Sequence, residues 1–108
     1  MISIEDFKKI EVKIGEVTAA EKVEGADKLL KLIVDFGEGT PRQVVSGIAL
    51  HIAPEALVGK KFPFAVNLEP RTIRGLESQA MILAASNDEG GFALLSPDRD
   101  IQKGSKVI

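Results

Sequence analysis

With 108 residues, 44% apolar and 28% charged, the chain can bury one modest core and is too short for a two-domain enzyme. It contains no cysteine, which excludes disulfides, thiolate metal sites and cysteine nucleophiles, and its formal net charge of −2 argues against a uniformly basic nucleic-acid-binding surface. The opening MISIEDFKKIEVK puts acids and lysines where a signal peptide needs an apolar core, and no run approaches the roughly 18 apolar residues of a membrane helix, so a cytoplasmic protein without a membrane partner is expected. Charge is nevertheless uneven: residues 1–40 carry 6 Lys against 9 acids, whereas residues 41–80 carry 5 Lys and Arg against 3 acids. A local basic field suffices for phosphate, so RNA stays open as a partner.

In chain order, Ser3 followed three residues later by Asp6 reads as the cap of a short helix through Ile4, Phe7 and Lys8. Ile10, Val12 and Ile14 then alternate with Glu11 and Lys13, a period of two that predicts a first strand over residues 10–20, with a bulge or bend at Gly15. EKVEGAD reads as a polar connection, and LLKLIVDF as a second strand with Leu30, Leu32, Val34 and Phe36 on one face. After the turn residues Gly37, Gly39 and Pro41, QVVSGI predicts a third strand in a hairpin with the second. Pro54 in IAPEAL suits the first turn of a short helix.

Phe62, Phe64, Val66 and Leu68 alternate as a fourth strand, placed at an edge or bulge by Pro63; AMILAAS predicts another strand, and DEGG before FALLS a closing hairpin. Between the two apolar runs lies a polar connection, where Asn67, Arg71, Arg74, Ser78 and Gln79 can converge. The whole reads as a single domain over residues 1–108, all-β, a five-stranded, partly open Greek-key barrel of the oligonucleotide-binding type with a short helix between strands three and four.

Catalytic signatures are missing. His51 is the single histidine and reads as a surface or capping residue; the carboxylates are scattered rather than paired; and Gly15, Gly47, Gly59 and Gly75 are isolated rather than grouped as a phosphate loop. No metal or cofactor is expected. Phe36, Phe62 and Phe64 belong to apolar strand faces, so RNA would be met through its backbone and shape rather than by base stacking. Arginine forks suit phosphate oxygens, which singles out Arg71 and Arg74.

Five stretches in register, DFKKIEVKIGEV, GADKLLKLIVDFGE, RQVVSGIA, LVGKKFPFAVNLEPRTIRGLESQAMILAAS and PDRDIQKGSKVI, resemble the tRNA-binding domain that occurs as the carboxy-terminal module or separate β chain of methionyl-tRNA synthetases and as a free-standing tRNA-binding protein. The resemblance implies an oligonucleotide-binding fold with extra carboxy-terminal strands, and a noncatalytic module that binds the outer corner of the tRNA L by shape. It implies a homodimer or a tether to the synthetase catalytic subunit, with the opening helix, first strand and Ile101–Ile108 tail as interface segments. Carried onto this chain, Asn67, Arg71, Arg74, Ser78 and Met81 match its binding loop, and Lys28, Lys31, Arg42 and Ser46 match positions on or near the same face. Lys13, Glu69 and Ala80 depart from its usual residues; ESQAMILAA is similar to the separate β-chain form. One branch of the same fold family serves as a peptide-binding chaperone or export factor, the alternative function.

Overall fold

The computed structural model describes residues 1–108. A four-residue helix α1 (Ile4–Phe7) leads into nine strands, β1 (Val12–Val23), β2 (Ala26–Asp35), β3 (Arg42–Ser46), β4 (Lys61–Ala65), β5 (Arg71–Ile73), β6 (Leu76–Ser78), β7 (Met81–Ile82), β8 (Ala84–Ser86) and β9 (Phe92–Leu94). A single 3-10 turn, Pro54–Ala56, is the expected helix between the third and fourth strands. Five strands form one antiparallel sheet in the order β3-β2-β1-β4-β7; β5-β6 and β8-β9 are separate hairpins. This is the oligonucleotide-binding architecture with added carboxy-terminal strands.

The alternation read along the sequence sets the core. Leu30, Leu32 and Val34 of β2, Val44 of β3, and Phe62 and Phe64 of β4 point inward and are buried, with Phe36 edge-on to Phe64 at 5.3 Å between ring centres. Leu57, just after the 3-10 turn, plugs one end of this cluster. The cap at Ser3 also forms, its Oγ accepting from Asp6 N at 3.2 Å.

Four expectations change. Strand β1 runs on to Val23 and turns through Glu24-Gly25 into β2, so the EKVEGAD stretch is mostly strand. This arm projects past the barrel, where Glu21 and Lys22 face solvent and Glu21 pairs with Lys31 across the ladder at 2.8 Å, so no apolar period marks it. The bulge falls at Thr18, where the register slips between Val17 and Ala19, rather than at Gly15. Gly15 is instead a point of contact: a Cβ there would stand 2.5 Å from Val34 Cγ1 and 2.6 Å from Phe36 Cε1.

Pro63 lies inside the sheet, not at its edge. Its partner Ile14 directs its own N–H and C=O toward the tail, to Ser105 O and from Gly104 N, so the missing proline N–H interrupts no bond to β1. Finally, AMILAAS is two strands that part at Leu83, and the polar connection before it holds the β5–β6 hairpin.

The tail closes the open flank of β1. Gly104 N donates to Ile14 O at 2.7 Å and Val107 N to Val12 O at 2.8 Å. Lys103 Nζ reaches Asp35 Oδ2 at 2.7 Å and Glu16 Oε1 at 3.7 Å. The hydrogen bond from Lys103, helped by that from Gly37 N–H, holds the Asp35 carboxyl below its ordinary range, and Asp35 in turn raises the Lys103 ammonium. His51 is exposed, as expected, and stacks on Phe92 at 4.4 Å, holding β9 to the loop before the 3-10 turn.

Gly15→Ala should therefore destabilise the domain by about 1–3 kcal/mol through overpacking against Val34 and Phe36. A urea titration checks this: the midpoint falls with the slope unchanged, whereas an unchanged midpoint would show that the two side chains yield freely.

Candidate nucleic-acid interface

The hairpin turns on two residues, Arg74 and Gly75, with φ of 52° and 79°. Positive φ at both positions is what a tight type I′ turn requires, and its twist matches the strands it joins. Arginine is an uncommon residue there, and its side chain is thereby carried to the very tip. Arg71 stands at the base, opposite Ser78 in register, and neither arginine makes an ion pair within the protein.

Beneath the hairpin is a shallow hollow of about 50 Å³, lined by Val45, Leu68, Arg71, Ile73, Ser78 and Met81 among others. Met81 and Leu68 are each 44% exposed, so they form an apolar shelf beside the guanidinium of Arg71. The shelf exists because the strand alternation breaks after Val66: Leu68 leaves the core face it was expected to join. Glu69 shares the rim. Val45 on the floor is the cross-strand neighbour of Lys31, which places Lys31 on this same face with its charge paired to Glu21.

The remaining candidates stand elsewhere. Lys28 lies three residues from Lys31 on β2, so the two point to opposite faces, and Ser46, in register with Leu30, shares the face of Lys28. Both are set apart from the hairpin surface. Arg42 is held inward: Nη1 donates to Val66 O at 2.7 Å and to Gln79 O at 3.2 Å, Nε and Nη2 fork onto Glu38, and Cζ lies 5.4 Å from the Phe36 ring centre. Its charge is spent within the protein.

Asn67 is likewise engaged. Its Oδ1 accepts from Glu11 N at 2.8 Å and its Nδ2 donates to Lys9 O at 2.7 Å, so the side-chain amide continues the β1–β4 ladder as a surrogate peptide. Ser78 is buried, with Oγ accepting from Val45 N at 3.0 Å and donating to Ala80 O at 3.0 Å. These polar residues build the site rather than presenting free groups. Arg71, Arg74 and Met81 are the ones left to meet a ligand, with Lys31 at the flank.

Two residues of the arrangement escape the sequence reading. Gln43 reaches Glu77 O, and Leu68 supplies the shelf. A glutamine opening a β-branched run carries no mark of its role, and Leu68 is disguised by falling in phase with Phe62 and Phe64.

The model of the family described as "Putative tRNA binding domain" matches residues 12–106. The chain belongs to this family. Over 106 residues it is 51% identical to a methionine–tRNA ligase of Caldanaerobacter subterraneus subsp. tengcongensis, covering 98% of this chain and 16% of that protein. The chain thus spans about a sixth of the length of the curated relatives it matches. Among solved structures, it is similar to a MetRS-related protein from Pyrococcus horikoshii, with a TM-score of 0.94 at 42% identity over 100% of this chain and 98% of that one. It is also similar to the chaperone CsaA of Bacillus anthracis str. Ames, with a TM-score of 0.89 at 30% identity over 100% and 99%.

In this tRNA-binding domain the hydroxyl of Ser78 is the acceptor for a buried main-chain N–H of β3. Ser78→Ala leaves Val45 N–H without its partner and should cost about 1–3 kcal/mol, the penalty for stranding a buried donor. Equilibrium unfolding measures it; a loss below ~0.5 kcal/mol would mean that water replaces the hydroxyl.

Proposed function

We propose that the domain is a noncatalytic, structure-specific tRNA-binding module that engages the outer corner of the tRNA L through the β5–β6 hairpin. The observation that carries this reading is a pair of arginines without internal partners at the base and tip of one projecting hairpin, above an apolar shelf, in a chain of this family. Their charges are available to phosphates, and counterion release rewards that contact. The shelf of Met81 and Leu68 offers no array of donors for reading bases, and no row of aromatic rings accompanies it, so shape and backbone are what the surface suits.

In this reading Arg71 and Arg74 contact phosphates, Met81 supports the adjoining sugar, Lys31 stands at the flank with its charge paired to Glu21, and Asn67, Ser78 and Arg42 hold the hairpin's surroundings. Lys28 and Ser46 lie on a second face that a long, bent RNA could reach. The module serves methionyl-tRNA synthetase in the cytoplasm as a β subunit or trans-acting partner, raising the effective tRNA concentration at the catalytic subunit. No helix in the chain is long and apolar enough to cross a membrane.

Replacing Arg71 and Arg74 together with alanine should weaken binding to all tRNAs alike and lower the slope of log K against log salt by roughly 2, one for each phosphate contact. Titration of unfractionated tRNA at two salt concentrations, with duplex RNA of equal length as competitor, tests it. Binding that the double substitution leaves untouched would overturn the site. The similarity to CsaA supports a second reading, a peptide-binding chaperone. Suppression of client aggregation without tRNA retention at low salt would favour it.

The domain acts as a homodimer in this proposal. No residue of α1 is buried, Ile4, Phe7 and Ile10 are exposed, and Val107 of the tail meets Val12 close by, so the two termini form one apolar surface. Ile4→Glu with Phe7→Glu should yield monomers in light scattering; a dimer that persists would move the interface elsewhere.

A further inference from the structure

We propose that Gln43 and Gln79 are positioning residues that aim the Arg74 tip of the hairpin; the inference rests on the tRNA-binding reading above and names what controls that site. One edge of β3 is paired with β2 from Arg42 to Ser46. The other edge exposes Gln43 N, Gln43 O and Val45 N, and no strand ladder meets them, because β3 and β5–β6 belong to different sheets. Two glutamine side chains and a single main-chain bond close the seam instead. Gln43 N donates to Gln79 Oε1 at 2.9 Å, Gln43 Nε2 donates to Glu77 O at 2.9 Å, and Gln79 N donates to Gln43 O at 2.8 Å. Main-chain N–H can only donate and C=O only accept, so these partners fix which way each amide is turned.

The consequence for the hairpin is mechanical. The seam grips Glu77 and Gln79 and leaves Leu76, Gly75 and Arg74 beyond it. Leu76 is the one extended residue between Glu77 and the Arg74–Gly75 turn, so the tip stands roughly 7 Å beyond the seam, and a tilt there displaces it while Arg71, opposite Ser78 at the base, moves less. Gln79 is exposed and Gln43 half-buried, so water competes for their bonds and a lost partner loosens the seam without opening the core. Ser78, by contrast, is buried and anchors the base whatever the glutamines do. Gln43 and Gln79 therefore act on Arg74 more than on Arg71.

The test is a double-mutant cycle on the full chain with unfractionated tRNA as probe, using Gln43→Met, which keeps the shape and removes the Nε2 donor, and Gln79→Met, which removes the acceptor of Gln43 N–H. Each should weaken tRNA binding roughly threefold to tenfold, at the lower end of what residues sharing one network couple by, with an unfolding midpoint close to that of the parent. In an Arg74→Ala background each should have no further effect, and in an Arg71→Ala background most of its effect should remain. A purely structural role would not produce that asymmetry. Parental binding by both methionine variants, or equal losses in all backgrounds, would overturn the inference while leaving the tRNA reading intact. If Arg71→Ala and Arg74→Ala themselves bind as the parent does, the tRNA reading fails and the inference with it.

Discussion

Strand β1 hands its hydrogen bonds from β4 to β2 at Glu16, the residue registered with both Lys61 and Asp35, and the barrel depends on that handover. One strand here serves two ladders in succession, β4 on one edge and then β2 on the other. Beside the handover, Val34 of the adjoining β2 and Phe36 just after it leave no room for a Cβ on Gly15, and the extra residue at Thr18 absorbs the change in twist. Because the first half of β1 faces β4 and the second half β2, its remaining edge would be unpaired; the tail from Gly104 to Val107 covers that edge, and Lys103 fastens it through Asp35 and Glu16. Fold and tail thus answer one geometric demand.

The same demand recurs at the other open edges, and there side chains do the work of peptides. Asn67 extends the β1–β4 ladder by pairing with Lys9 O and Glu11 N; Ser78 and Gln79 stand in for a strand along β3; and Arg42 collects Val66 O and Gln79 O at the corner between them. A short hairpin cannot offer a long ladder, and a hairpin that must project cannot lie flat in the sheet. Anchoring it by a few side-chain bonds satisfies both conditions, and it leaves the arginines outside the protein's own hydrogen-bond network.

The core strands were legible in the sequence because burial on one face imposes a period of two, which β2 and the start of β4 display, while β3 was marked by its β-branched run. Legibility failed where burial did not govern the residue. The projecting arm of β1 has no buried face, β5 and β6 are three residues each, and Leu68 keeps the phase of its strand after the strand has ended. The site divides the same way. Arg71 and Arg74 were visible as arginines in a turn, but that Arg42, Asn67 and Ser78 turn inward depends on backbone groups distant in the chain, which neither composition nor spacing encodes.

That division bears on affinity. Of the cationic candidates, Lys31 is neutralised by Glu21 and Arg42 by Glu38, which leaves Arg71, Arg74 and the separated Lys28 as free charges. In a chain of net charge −2, three free cations among the candidates make a shallow local field rather than a basic groove. Each phosphate neutralised contributes a limited, salt-sensitive increment, so a single copy is suited to weak, rapidly reversible association with RNA. Such a module gains function when it is doubled or tethered, since a second site held nearby multiplies occupancy without new contacts. In the proposed reading, pairing through the exposed apolar termini, and inclusion in a longer chain as in relatives where the matched segment is about a sixth of the length, are two forms of that one solution.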